Sequence, residues 1–238
     1  MNQSTRTTLG LLLFFFLTRP VLADDPDELY RQREDLSSAN RAAEIWSAKA
    51  GTDFDAAWKL ARASYWIGGH APEGERRAAL ERGVVAGETA ARLGPDRPEG
   101  HYWLAADMGA LAESFGLRQG IKYRGQIKDA ILATLKLDPG FLQGSADRAL
   151  GRWYYKVPGL FGGSNKQSEV HLRKSLTYNP NSVISHLFLA ETLAAMGRKD
   201  EARKEAQAAI DAPFDANWTP EDKRFKETAK RLLRDLQR

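Results

Sequence analysis

The chain has 238 residues, 42% hydrophobic and 28% charged, with 35 Lys and Arg against 31 Asp and Glu and no cysteine. That balance is too apolar for a disordered chain, and the length suffices to bury a sizeable core. The missing thiols exclude a disulfide scaffold, a thiolate metal site, a cysteine nucleophile and a lipid-modified cysteine.

Residues 1–23 read as an export signal. Arg6 makes a basic start, Leu9 to Leu17 an apolar run broken only by Gly10, and Val21-Leu22-Ala23 a cleavage site. The run is about half the ~20 residues that span a bilayer. Cleavage after Ala23 gives a periplasmic protein starting at Asp24, which stands where a lipoprotein has Cys, so no lipid anchor is expected. It also removes Arg6 and Arg19, lowering the formal charge to about +2. No block of like charge is long, and on that ground neither nucleic acid nor acidic lipid is implied as a partner.

Residues 24–238 read as one helical-repeat domain. Hairpin turns and alternating patterns are nearly absent. Helices are expected over 27–50 (breaking near Ser37-Ser38), 55–68, 73–93, 98–115, 118–137, 144–156, 166–178, 182–196, 199–211 and 220–237. Leu104, Met108, Leu111, Ala112 and Phe115 show the spacing of one helix face. Thr219-Pro220-Glu221-Asp222 supplies a cap, a first-turn proline and acids for the helix dipole, so 219–238 reads as a capping helix.

The punctuation repeats. Pro95, Pro139, Pro180 and Pro213 close successive helices 44, 41 and 33 residues apart. That spacing predicts an all-α, tetratricopeptide-like helix-pair solenoid. The last unit fits that motif best. Leu189, Ala190, Leu193, Gly197, Ala202 and Ala209 fall where it wants large, small and turn residues, with His186 in place of the usual Trp.

Gly151-Arg152-Trp153-Tyr154-Tyr155-Lys156-Val157-Pro158-Gly159-Leu160-Phe161-Gly162-Gly163-Ser164 resembles the signature segment of the T-component of TRAP-type transporters. His171 to Leu176, Leu187 to Glu191, Gly100-His101-Tyr102-Trp103 and Trp218 to Asp222 resemble the same family. The resemblance covers most of 27–238. It implies a periplasmic helical protein that associates with a solute-binding protein and handles a hydrophobic or organic-acid ligand. Some members are lipid-anchored; Asp24 departs from that. The eukaryotic regulator of microtubule dynamics family shares the repeat pattern, and the export signal argues against its cytoplasmic role here. Repeat scaffolds are readily reused, so membership alone names no partner.

Tyr65-Trp66, Tyr102-Trp103, Trp153-Tyr154-Tyr155 and Trp58 fall on the first helix of a pair, which lines the concave face of such a stack. They either fill the space between helices or line an apolar groove. Adjacent rings lie about 100° apart on a helix, so both members of a doublet do not face inward. Val157 to Asn165 is the longest irregular link, with Leu160 and Phe161 either folded back over the stack or presented as an edge. Candidate binding residues are therefore Tyr102, Trp103, Trp153, Tyr154, Leu160 and Phe161. His70, His101, His171 and His186 have no metal-ligand spacing, and no phosphate loop or nucleophile elbow occurs. No metal, cofactor or catalytic residue is assigned. The basic final helix reads as a solenoid cap rather than a membrane-surface helix, so stable membrane insertion is not expected; self-association stays open. Two functions remain: a transport accessory with a small ligand, and a protein–protein scaffold without one.

Overall fold

The structure, a computed structural model, describes residues 24–238; the proposed export signal lies outside them. Eleven helices are found among the described residues, and no strand. They are α1 (Pro26–Arg31), α2 (Leu36–Ser47), α3 (Phe54–His70), α4 (Glu73–Leu93), α5 (Pro98–Ser114), α6 (Leu117–Leu137), α7 (Phe141–Lys156), α8 (Asn165–Tyr178), α9 (Val183–Ala195), α10 (Lys199–Asp211) and α11 (Thr219–Leu236). They pack as consecutive pairs, α3 with α4, α5 with α6, α7 with α8 and α9 with α10. The first helices of the pairs also touch one another in the order α3, α5, α7, α9, forming an inner row.

Residue size explains the pairing. Leu80, Leu111, Leu150, Leu172, Leu189 and Leu193 are fully buried, while Ala202 and Ala209 leave room for α10 to approach α9. At Gly151 a Cβ would come within 2.5 Å of Leu172, so only glycine allows the α7–α8 approach. Gly197, between α9 and α10, has φ +76°, the left-handed conformation the tight turn needs.

A second internal repeat appears in the loops. His101 Nε2 donates to the Pro95 carbonyl (3.0 Å), and His186 Nε2 donates to the Pro180 carbonyl (2.8 Å). In both cases an A helix is stapled to the turn six residues before it. His186 Nδ1 faces the Glu205 carboxylate at 2.6 Å. Burial works against its charge, but Glu205 and the Pro180 carbonyl outweigh burial and raise its pKa above the ordinary value.

Two local details differ from the sequence expectation, at the first break and at α11, while the start of α7 agrees with the expected 144–156. The break in the first helical stretch lies before Ser37-Ser38. Asp35 accepts from the Ser37 backbone amide (3.1 Å) and from both serine hydroxyls (2.7 and 2.9 Å), making them the first turn of α2. Leu142, Gln143 and Gly144 have φ of 43°, 58° and 78°, so right-handed helix in α7 begins after them. Thr219 does not cap α11: its hydroxyl donates to the Asp215 carbonyl, and Asp222 accepts the Asp215 amide at 3.0 Å. Glu221 is drawn away to a distant arginine instead.

Candidate functional site

The inner row forms one wall of a cavity of about 730 Å³, within the size range of small-molecule sites. The start of α6, the link after α7 and the first turns of α11 complete it. Tyr65, Trp103, Ile131, Trp153, Phe188 and Phe225 supply apolar surface from several helices.

α11 closes the cavity because its N-terminus is clasped to the other end of the chain. Arg33, in the α1–α2 link, donates to both Glu221 oxygens (3.0 and 2.6 Å) and to the Asn217 carbonyl (2.8 Å). The side chains are only 6% and 16% exposed, so the pair is largely desolvated. Trp66 Nε1 donates to the Arg33 carbonyl (2.7 Å), Lys223 pairs with Glu34 (2.8 Å), and Trp218 stacks on Trp103 with centroids 6.4 Å apart.

The charges lining the cavity are unevenly satisfied. Arg152 bridges α5 and α9, bonding both Glu113 oxygens (3.0 and 2.9 Å) and Glu191. Burial pushes the Glu113 carboxyl up, but Arg152 and Lys156 outweigh it and hold it below its ordinary range. Asp215 and Asp222 accept from backbone amides of Asn217 and Asp215. Among the described residues, Arg76, Arg124, Arg148 and Arg224 also line the cavity and have no carboxylate within ion-pair distance. An apolar chamber with surplus cations favours an apolar body carrying an acid.

In each aromatic doublet one ring is buried and its neighbour half-buried. Trp66, Trp103 and Trp153 are 5%, 4% and 7% exposed, while Tyr65, Tyr102 and Tyr154 are intermediate. Tyr102 and Trp103 both line the cavity, Tyr102 also packing edge-on against Phe141 (5.6 Å). Trp153 lines it too, donating Nε1 to the Arg124 carbonyl (2.9 Å). Tyr154 is turned away and stacks on His171 (5.5 Å), whose Nδ1 is 2.8 Å from buried Asp147. Trp58 is also remote, bonded to Asp55 and flanking Arg62.

The link after α7 does not fold Leu160 back. A short 3-10 turn, Gly159–Phe161, leaves Leu160 90% exposed, with Phe161 at the cavity rim 5.4 Å from Arg124. The link is nevertheless held: Ser164 N donates to the Tyr154 carbonyl (2.9 Å), and a Gly163 Cβ would overlap the Val157 carbonyl. Sequence reasoning missed the arginines and the α11 residues Arg224 and Phe225. Their roles depend on a contact between chain ends that no local spacing shows.

Asp107 was also missed. It is fully buried on α5, outside the cavity, with neither carboxylate oxygen hydrogen-bonded. Burial raises its pKa well above the ordinary value, and Arg82 opposes this only in part.

No curated protein matches the sequence significantly. The fold is similar to the crystal structure of a thermophilic TPR protein from Thermus thermophilus, with TM-score 0.65 over 87% of this chain and 97% of that one, at 19% identity. That likeness shows a tetratricopeptide-like fold. The family model described as regulator of microtubule dynamics protein 1-3 matches residues 22–161, ending at Phe161 on the cavity rim. The matched stretch exceeds half the chain, and the chain belongs to the regulator of microtubule dynamics protein 1-3 family.

Proposed function

We propose that this protein binds, without chemistry, a small amphipathic acid in the cavity of its helix-pair stack. The observation that carries the reading is the cavity itself: about 730 Å³ of largely aromatic and aliphatic wall holding arginines without carboxylate partners. A carboxylate meeting Arg148 or Arg224 gains charge-assisted hydrogen bonds worth about 1.5–3 kcal/mol. The apolar body is sheltered by Trp103, Phe188 and Phe225.

Intrinsic tryptophan fluorescence tests this, because Trp66, Trp103, Trp153 and Trp218 all line the chamber. Decanoate should quench saturably, and decanol, with the same chain and no charge, should bind at least about tenfold more weakly. Arg148→Gln with Arg224→Gln should erase that preference. Equal affinity for both ligands, or none for either, rejects the reading.

The tetratricopeptide-like stack and the segment from Gly151 to Ser164 support a further role as a transport accessory, handing the acid to an exported solute-binding protein. Co-purification of such a protein from a periplasmic fraction tests that step. Protein partners with no ligand effect would favour a plain scaffold.

A further inference from the structure

Two stretches of this chain carry four cations each and no acid. Residues 114–128 carry Arg118, Lys122, Arg124 and Lys128, and residues 148–168 carry Arg148, Arg152, Lys156 and Lys166, with no Asp or Glu in either. They are separate in sequence, and neither contains a run of like charge. The fold brings Arg124 and Lys128 of the first against Trp153 and Phe161 of the second at one rim of the cavity. Trp153 bonds the Arg124 carbonyl, Arg124 lies against Phe161, and Lys128 Nζ is 4.6 Å from the Trp153 ring centroid.

Apolar side chains project from the same rim. Leu160 is 90% exposed, and Phe161 and Ile121 are each 38% exposed. Lys122, Lys156 and Lys166 of the same two segments are exposed; Lys122 and Lys166 have no carboxylate partner among the described residues, while Lys156 pairs with Glu113 at 3.3 Å.

We propose that this rim docks the protein on an anionic lipid surface, with Leu160, Phe161 and Ile121 entering the headgroup–acyl boundary and the lysines lying against the phosphates. Shape and charge favour a bilayer over a protein. The apolar part is a protruding tip rather than a groove for a helix, and the two segments that carry it hold cations and no acid, with Glu113 of α5 already engaged by Arg152 and Lys156. The basic helix α11 does not compete for this role, because its apolar stripe is occupied: Ala229 and Leu236 are buried, and Phe225 and Leu232 pack on α9 and α10 residues. Docking goes beyond the cavity reading and does not depend on it. Its geometry puts the cavity rim at the membrane, where an amphipathic acid would be collected or released.

Flotation with vesicles of phosphatidylcholine, alone or with about one-third phosphatidylglycerol, tests the proposal on ligand-stripped protein. Binding is expected only to the anionic vesicles and should fall steeply in about 1 M salt, where screening is nearly complete. Lys122→Gln with Lys166→Gln should weaken it about 25-fold, at about fivefold per cation. Leu160→Glu should weaken it at least tenfold while melting like the wild type, since Leu160 is solvent-exposed. Absence of binding, equal binding to neutral vesicles, or loss caused only by Arg231→Gln with Arg234→Gln in α11 overturns the proposal. So does an acidic protein held by this rim when vesicles are not. Decanoate affinity is read separately without lipid, so failure of docking and failure of the cavity reading are distinguishable.

Discussion

Replacing Arg33 by Ala should destabilise the protein by about 3–5 kcal/mol, the range for removing one partner of a buried ion pair. Arg33 is 6% exposed and makes three strong hydrogen bonds to the α11 end, two to Glu221 and one to the Asn217 carbonyl. Its loss strands Glu221, itself 16% exposed, against an apolar wall with no other cation paired to it. Arg33→Lys should recover only part of the cost, because one ammonium lacks the planar fork that spans both carboxylate oxygens. Arg33→Met with Glu221→Leu should recover most of it, since no charge is then left unpaired. Urea unfolding followed by far-ultraviolet circular dichroism gives the double-mutant cycle, and hydrogen exchange of α11 locates the damage. A cost below about 1 kcal/mol for Arg33→Ala, or a double variant no better than the single, would refute the desolvated clasp.

Asp107→Asn should stabilise the protein by an amount that grows with pH. Folded Asp107 titrates well above its unfolded value near ~3.9, so its contribution is intact below that pH and is lost as pH rises toward the folded pKa, about 1.4 kcal/mol per unit. Urea midpoints from pH 4 to 8 check the slope; a pH-independent difference contradicts it. Ala202→Leu should cost about 1–3 kcal/mol by overpacking the α9–α10 contact, and an unchanged urea midpoint would reject the repeat register. Leu160→Ala with Phe161→Ala should cost no more than about 1 kcal/mol in thermal unfolding, because Leu160 contributes almost no burial. A loss of several kcal/mol would make the link structural.

The helices were legible because each announces itself locally. Prolines, glycines and an apolar period mark their ends and inner faces, and Gly197 and Ala202 signal the close turn and crossing of the last pair. Half of the cavity was legible for the same reason: Tyr102, Trp103 and Trp153 sit on first helices, which a stack of pairs turns inward. Tyr154 was not separable from Trp153 by pattern. Its ring stacks on His171 of α8, a contact set by the pairing of α7 with α8. The charge of the rim escaped a search for basic runs, since its cations are spaced along two segments. Its signal is the missing acids between Glu113 and Asp129 and between Asp147 and Glu169. The closure by α11 had no local trace, because Arg33 and Glu221 meet across nearly the whole chain.

Whether the chamber holds a ligand is tested most directly at Gly109. This residue lines the cavity from α5, and no heavy atom lies within 4 Å of where its Cβ would stand. A Cβ at Gly109 therefore meets open space, so the ring of Gly109→Phe is expected to extend into the cavity, and replacing a mid-helix glycine by Phe should favour the helix by about 0.5 kcal/mol; a circular dichroism melt checks that the variant folds. Calorimetric titration with decanoate should show one saturable site in the wild type and none in Gly109→Phe. Undiminished decanoate binding by a folded Gly109→Phe would contradict the account.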